Sequence, residues 1–331
     1  MKPTIVVSGI NLFQGGTLTI YYNFCDEIIE SKLYEKYHFI LFVHKVSLFE
    51  KYQSYFEIIE LPESRKSWFK RMYYEYSYFK IYSKDKDIYL WISIHDMTPK
   101  VHAKHQVTYF HISDEPREEH LESYRAAKES LGNMLDGFHT FDALSSYEFY
   151  RHGLIDKPIP GNNEIEEFLE HGLTDMWTYY CTGQFYEVSN RFMSMPSARN
   201  RIYGVQLYKY KIIGILHWGY NFYNSQFSIE HINPYEVTDA GNAFPSGDPF
   251  LVYPGADRNP EESIRMMVHY EALTDLRALE LLESLTSREH VMELIEGELA
   301  EPLTFKRYPK SDMYLIMLRN RVNKEIQKFG I

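Results

Sequence analysis

The sequence predicts an α/β protein built on parallel strands, and three patterns carry that prediction. Short runs rich in Val, Ile, Phe and Tyr, such as "TIVVSGI" and "DIYLWISI", have the length and composition of buried strands. Segments with an apolar stripe at helical spacing separate them, and strands joined through helices pair in parallel. From Glu261 onward the patterns are helical throughout.

Taken in order, "TIVVSGI" predicts a first strand over Thr4–Ser8, "NLFQGGT" a turn, and "LTIYYNFCDEIIESKL" a helix with Leu18, Tyr21, Phe24, Ile28 and Ile29 on its apolar side. Strands follow at His38–His44 and Phe56–Leu61, then a basic, aromatic helix from Ser64 to Ser83. Further strands are expected at Ile88–Ile92, Val107–Ile112, Phe138–Phe141, Asp175–Tyr179 and Ile212–His217. The segment "REEHLESYRAAKESLGNMLDG" places Leu121, Tyr124, Leu131 and Leu135 on one helical face, with a stop at Asp136-Gly137. A long amphipathic helix, "EESIRMMVHYEALTDLRALELLESL", offers Ile264, Met267, Leu276, Leu279 and Leu282 as core contacts. Helices over Ser287–Glu298 and Ser311–Lys328 close the chain.

At 331 residues and 44% apolar, the chain suits two modest domains or one large one. Acidic residues outnumber basic ones 46 to 35, for a net charge of −11, and no long basic block forms a phosphate track, which argues against nucleic acid as a partner. The 29 tyrosines serve a core with polar handles and a sugar-stacking cleft equally well, so composition does not choose between them. Cys25 and Cys181 fit neither a disulfide scaffold nor a zinc site, and the histidines lack metal-ligand spacing, so no metal and no cofactor is expected. "MKPTIVVSGI" reads as a strand rather than a leader and no apolar run reaches bilayer-spanning length, which makes a cytoplasmic location the default expectation. Oligomeric state is left open.

Two resemblances add to this. The strings "HISDEP", "MWTYYC", "VSNRFMSMPSARNRIYG", "LHWGYNFYNSQ" and "NPYEVTDAGNAFPSGDPFLVYPG" make residues from about 114 to 285 resemble the carboxyl-terminal half of a glycoside-hydrolase-like family related to the family 123 barrel enzymes that remove β-linked N-acetylgalactosamine. "IVVSGINLFQGGTLTI" and "LWISIHDMTPKVHAKHQVTYFH" make the first 107 residues resemble the amino-terminal half of a two-Rossmann-domain glycosyltransferase. Together they imply a partial or hybrid (β/α)8-like barrel with a Rossmann-like amino-terminal portion and carboxyl-terminal helices. The implied division is 1–107 and 108–331, with a fusion or chimera junction near His111.

The hydrolase resemblance implies that Asp114 orients a substrate acetamido group and that Glu115 is the general acid. It also implies a sugar-binding wall of Trp177, Tyr179, Trp218, Tyr220 and Asn221. The partner would be a carbohydrate carrying a 2-acetamido group, cleaved with retention. In a regular strand Asp114 and Glu115 face opposite sides, so both reach one cleft only if the strand ends there, and Pro116 favours such an exit. On the residues alone, "DEP" reads better as a solvated acidic turn ahead of the helix beginning near Arg117, and only the resemblance favours a catalytic position. Trp177 with Tyr179, and Trp218 with Tyr220, each share a face if their segments are regular strands, and each pair suits barrel core as well as sugar contact. His217 reads as a satisfied core histidine, and Arg191, Arg199 and Arg201 as ties for irregular backbone. In the transferase resemblance, Gly15-Gly16 open a βα turn and His95 and Asp96 line an acceptor cleft. Three functions compete: a retaining β-N-acetylhexosaminidase, a silent carbohydrate-binding or structural relic, and a glycosyltransferase fragment.

Overall fold

The computed structural model describes residues 2–94, 99–104, 109–132, 139–256 and 259–330. His95, Asp96 and the expected helix stop at Asp136-Gly137 lie outside them. The chain divides into two units, Met1–Thr108 and Tyr109–Ile331.

In the first unit, strands β1 (Thr4–Gly9), β2 (His38–Val43), β3 (Glu57–Glu60) and β4 (Ile88–Ser93) pair in parallel in the order β3-β2-β1-β4. That order is shared with one flank of doubly wound sheets. Alternation along the strands divides the core. Ile5, Val7, Phe39 and Leu41 face helix α1 (Gly15–Glu30), which buries Tyr21, Cys25 and Ile28; the short helix α2 (Leu33–Lys36) follows. Val6, Ile40, Phe42 and Trp91 pack with Phe79 of a second helical segment on the other face. That segment runs α3 (Trp68–Tyr73), a π-helical turn (Tyr74–Tyr78) and α4 (Phe79–Lys84). Gly9 admits the ring of Tyr21, since a Cβ there would stand 2.5 Å from it.

The second unit opens with β5 (Tyr109–Phe110) and α5 (Leu121–Leu131), followed by β6 (His139–Ala143), α6 (Glu148–Arg151), β7 (Lys157–Ile159), α7 (Ile165–Glu170) and β8 (Trp177–Tyr180). Helices α8 (Ala198–Arg201) and α9 (Tyr203–Tyr210) lead to β9 (Gly214–His217). The ladders β5-β6-β7 and β8-β9 are joined by a parallel bridge between Gly161 and Tyr179, giving five parallel strands in sequence order. The described parallel ladders are thus a four-stranded sheet and this five-stranded run. An antiparallel pair, β10 (Val252–Pro254) and β11 (Pro260–Glu262), precedes α10 (Ile264–Leu285), α11 (Arg288–Glu296) and α12 (Asp312–Gln327). These last helices share a core with α8 and α9 through Ile202, Val205, Leu279, Leu282, Val291 and Leu318.

The sequence reading and the structure differ at β7 and at α10. No strand is expected at "KPIP", which carries Pro158 and Pro160, yet Lys157–Ile159 pairs with Phe141–Ala143. α5 is described to Leu131, with Gly132 at φ +46°, and Leu135 with the expected stop beyond it lies outside the described residues. On α10, Ile264 and Met267 are 75% and 57% exposed rather than core contacts. Arg265 and His269 occupy the inward side of its first turns instead, in phase with buried Ala272, Leu279 and Leu282, and they tie down neighbouring loops.

Candidate active site

β5 pairs with β6 for only two residues, after which the chain leaves the sheet. Asp142 holds the departing segment: fully buried on β6, it accepts the Ile112 amide (2.9 Å) and the Tyr124 hydroxyl and pairs with His111 Nδ1. The Glu115 amide donates to the Ala143 carbonyl at 3.0 Å, and Glu115 sits at φ +43°. A side chain other than glycine rarely adopts that left-handed backbone, which costs on the order of 1–3 kcal/mol where surroundings enforce it. The turn before Pro116 therefore resolves the facing problem, because Glu115 is no longer part of a regular strand.

Glu115 comes to the carboxyl ends of β6 and β8. Its carboxylate lies 3.8 Å from Cys181 Sγ, and its charge acts on the buried Tyr179 phenol. Burial, reinforced by the Glu115 carboxylate, pushes the Tyr179 phenol well above its usual range, so it stays a donor. Burial pushes the Cys181 thiol up to about 11, with the charge of Glu115 adding to the effect. Asp114 is exposed and, among the described residues, bonds to none.

The floor beside this cluster is charged and dry. Arg191 and Asp248 are both fully buried and pair at 2.8 Å, and Arg191 also donates to the carbonyls of Trp218 (2.7 Å) and Asp248 (2.9 Å). Thr182 donates to the second Asp248 oxygen at 2.6 Å. Burial raises the Asp248 carboxyl although Arg191 opposes the shift. Burial lowers His217 to about 3 and His269 to about 4, with Arg191 adding to both, so each imidazole is neutral at neutral pH. His269 Nδ1 meets the Tyr180 hydroxyl at 3.1 Å, whereas His217 Nε2 is buried without a partner among the described residues, so the expectation of a satisfied histidine fails at that atom. Asn190, Arg191 and Arg199 tie loop backbone, Arg199 through the Tyr186 and Val188 carbonyls, whereas Arg201 instead pairs with the Asp275 carboxylate on α10. Among the described residues no group of three or more His, Cys, Asp or Glu side chains is arranged to hold a metal ion.

The expected wall divides. Tyr179 stands at Glu115, but Trp177, on the same strand face, lies toward the amino end of β8 with Phe141 edge-on at 5.0 Å. Its indole lies where a Cβ on Gly214 would stand, 2.2 Å away, and it lines a cavity of about 310 Å³ with Asp156, His171 and Asp175. Trp218 and Tyr220 do not share a strand face, because β9 ends at His217 and Gly219 turns the chain at φ +70°. Trp218 packs edge-on against Phe244 at 5.0 Å, Tyr220 is 45% exposed, and exposed Asn221 bridges backbone with Phe250. Sequence reasoning missed Asp142, Asp248 and Thr182. Asp142 was visible as an isolated charge inside "FHTFDAL", while Asp248 lies 57 residues from its arginine and left no local signal.

The profile of the glycoside hydrolase 123 catalytic domain matches residues 36–282. The chain belongs to that family. The match starts within the first unit and ends within α10, so it includes β2, β3 and β4 of the segment that resembled a glycosyltransferase. A search of curated proteins finds no match. Membership in glycoside hydrolase family 123 makes carbohydrate the substrate class. Among the described residues no helix is long and apolar enough to cross a membrane.

Proposed function

We propose that this family 123 member is a retaining β-N-acetylhexosaminidase that uses the substrate's own acetamido group as nucleophile. The observation that carries the reading is the Glu115 carboxylate at the carboxyl ends of parallel strands, anchored through its backbone amide on the Ala143 carbonyl and lying beside the Cys181 thiol. In the first step the acetamido carbonyl oxygen bonds to the anomeric carbon as the glycosidic bond breaks, and protonated Glu115 gives its proton to the leaving oxygen. Asp114 accepts the acetamido N–H and offsets the positive charge that develops on the ring so formed. Water then attacks the anomeric carbon and displaces the acetamido oxygen, which restores the acetamido group, while Glu115 takes the water's proton and the β configuration returns. Trp218, Tyr220 and Asn221 form the sugar wall in this proposal, with Trp177 a more remote contact.

The test is a pair of substitutions. Glu115→Gln slows cleavage of poor leaving groups by roughly 10²- to 10⁴-fold and of activated leaving groups by less, because activated groups need less proton transfer. Asp114→Asn impairs both substrate types, since its task is independent of the leaving group. Equal, small effects of both variants, or inversion seen by time-resolved anomer analysis, refute the assignment. Asp114's lack of a partner among the described residues favours the second reading, a silent carbohydrate-binding relic, which requires sugar binding with no hydrolysis by the folded chain. The order β3-β2-β1-β4 favours a transferase-type first unit, which requires saturable nucleotide-sugar binding that is lost when the Gly15-Gly16 turn is altered.

A further inference from the structure

The segment from Ser64 to Lys84 takes no part in the site described above. It carries Arg65, Lys66, Lys70, Arg71, Lys80 and Lys84 against a single acidic residue, Glu75, in a chain whose net charge is −11. Glu75 is buried, so the surface of the segment is basic. Ser67 starts the helix by accepting the Lys70 amide at 3.2 Å, and α3, the π turn and α4 then run without a break from Trp68 to Lys84. One side of this helix is core, with Phe79 4.8 Å from the Phe42 ring.

Its outer side is not an ordinary solvated face. Trp68 is 63% exposed, Phe69 79%, Tyr73 50% and Ile81 69%, and exposed Lys70, Lys80 and Lys84 are interleaved with them. Trp68 and Phe69 meet each other edge-on at 5.7 Å and extend from the core. Solubility would be served by the lysines alone, whereas basic side chains alternating with tryptophan and aliphatic groups are the composition of helices that lie in a bilayer interface.

We propose that this helix docks the protein on an anionic lipid bilayer. Trp68, Phe69 and Ile81 enter the boundary between head groups and acyl chains, and Lys70, Lys80 and Lys84 extend to the lipid phosphates. Charge complementarity selects an anionic surface over a neutral one. Ile81 selects a bilayer over an anionic polymer, because it has no ring to stack on a base or a sugar and an acyl boundary takes it up.

The test is co-sedimentation of the full chain with phosphatidylcholine vesicles, with and without phosphatidylglycerol. Binding is expected to the anionic vesicles only. The double substitution Trp68→Ala with Phe69→Ala lowers partitioning tenfold or more, by roughly the transfer free energy of the buried rings. Lys80→Gln lowers it about fivefold, which corresponds to ~1 kcal/mol per basic side chain near an anionic surface. All three side chains are exposed, so an unchanged thermal midpoint accompanies each variant, and Lys80→Gln remains decisive if the aromatic variant misfolds. Equal binding to neutral vesicles, no binding to anionic ones, unaltered binding by both variants, or retention on a sulfated polysaccharide without vesicle binding overturns the proposal.

Discussion

Arg191→Met isolates what the buried charges beneath the site contribute. The arginine is fully buried and bonds to the Asp248 carboxylate (2.8 Å), the Asn190 side chain (3.0 Å) and the carbonyls of Trp218 and Asp248. Methionine fills similar volume but leaves the buried Asp248 carboxylate with Thr182 as its remaining side-chain donor. Removing one member of a buried pair costs about 3–5 kcal/mol, mostly because the other charge is left uncompensated. If that is the cause, neutralising the survivor rescues the protein, and Arg191→Met with Asp248→Asn regains about 2 kcal/mol or more over the single variant. Two units do not guarantee a single unfolding transition, so the measurement is urea-dependent hydrogen exchange of amides in residues 177–222, which report the second unit. A loss below about 1 kcal/mol in the single variant, or a double variant no more stable than it, refutes the argument.

Other perturbations reach the surrounding structure. Asp142→Asn weakens the acceptor that holds His111, the Ile112 amide and Tyr124, so a loss of about 1–3 kcal/mol is expected, together with faster proteolysis within residues 109–116. Gly204→Ala sets a Cβ 1.9 Å from the Ala272 carbonyl oxygen where α9 crosses α10, and the enforced separation lowers the thermal midpoint by the equivalent of about 1–3 kcal/mol, the usual range for overpacking. Cys181, with its thiol near 11, reacts with iodoacetamide at mildly alkaline pH about 10²-fold more slowly than a free cysteine, as mass spectrometry will read. His217 and His269 are depressed to about 3 and 4, so the unfolded chain binds more protons than the folded one below about pH 6.5. Their contribution to stability is complete above that value and is lost as pH falls through the folded values, and a denaturant midpoint that stays level between pH 7 and pH 4 would contradict this.

The strands with an apolar run were legible because such a run leaves a local signature, strongest in β1 and β2, which are buried on both faces. β1, β2, β4, β8 and β9 all fall where Val, Ile, Leu and aromatic residues cluster. β7 was hidden because its residues are held by neighbours on each side rather than by propensity, and a proline tolerated in a three-residue strand looks like a breaker from sequence alone. The error on α10 has a different origin. Its apolar residues at Ile264 and Met267 have acceptable spacing for a core stripe, but Arg265 and His269 are the inward side chains because loop carbonyls and the Tyr180 hydroxyl await them there. Hydrophobic periodicity assigns polar residues to solvent, and it fails where the interior itself is polar.

The same reasoning explains why the candidate site was only half legible. Asp114 and Glu115 were visible as a charged pair at a strand exit, and Pro116 marked the exit, yet the left-handed backbone at Glu115 and the Ala143 carbonyl that anchors it depend on β6, which begins more than twenty residues later. The regular-strand rule that pairs Trp177 with Tyr179 holds within β8, but it says nothing about depth along the strand, which separates Trp177 from Glu115. For Trp218 and Tyr220 the rule's premise fails at Gly219. What replaces it is long-range: Arg191 fixes the Trp218 carbonyl, and Asp248 fixes Arg191, across loops remote in sequence. The carboxylates are therefore written in one short motif, while the proposed sugar wall at Trp218 rests on a buried ion pair through its carbonyl, so that under that proposal loss of the pair weakens sugar binding before it alters cleavage.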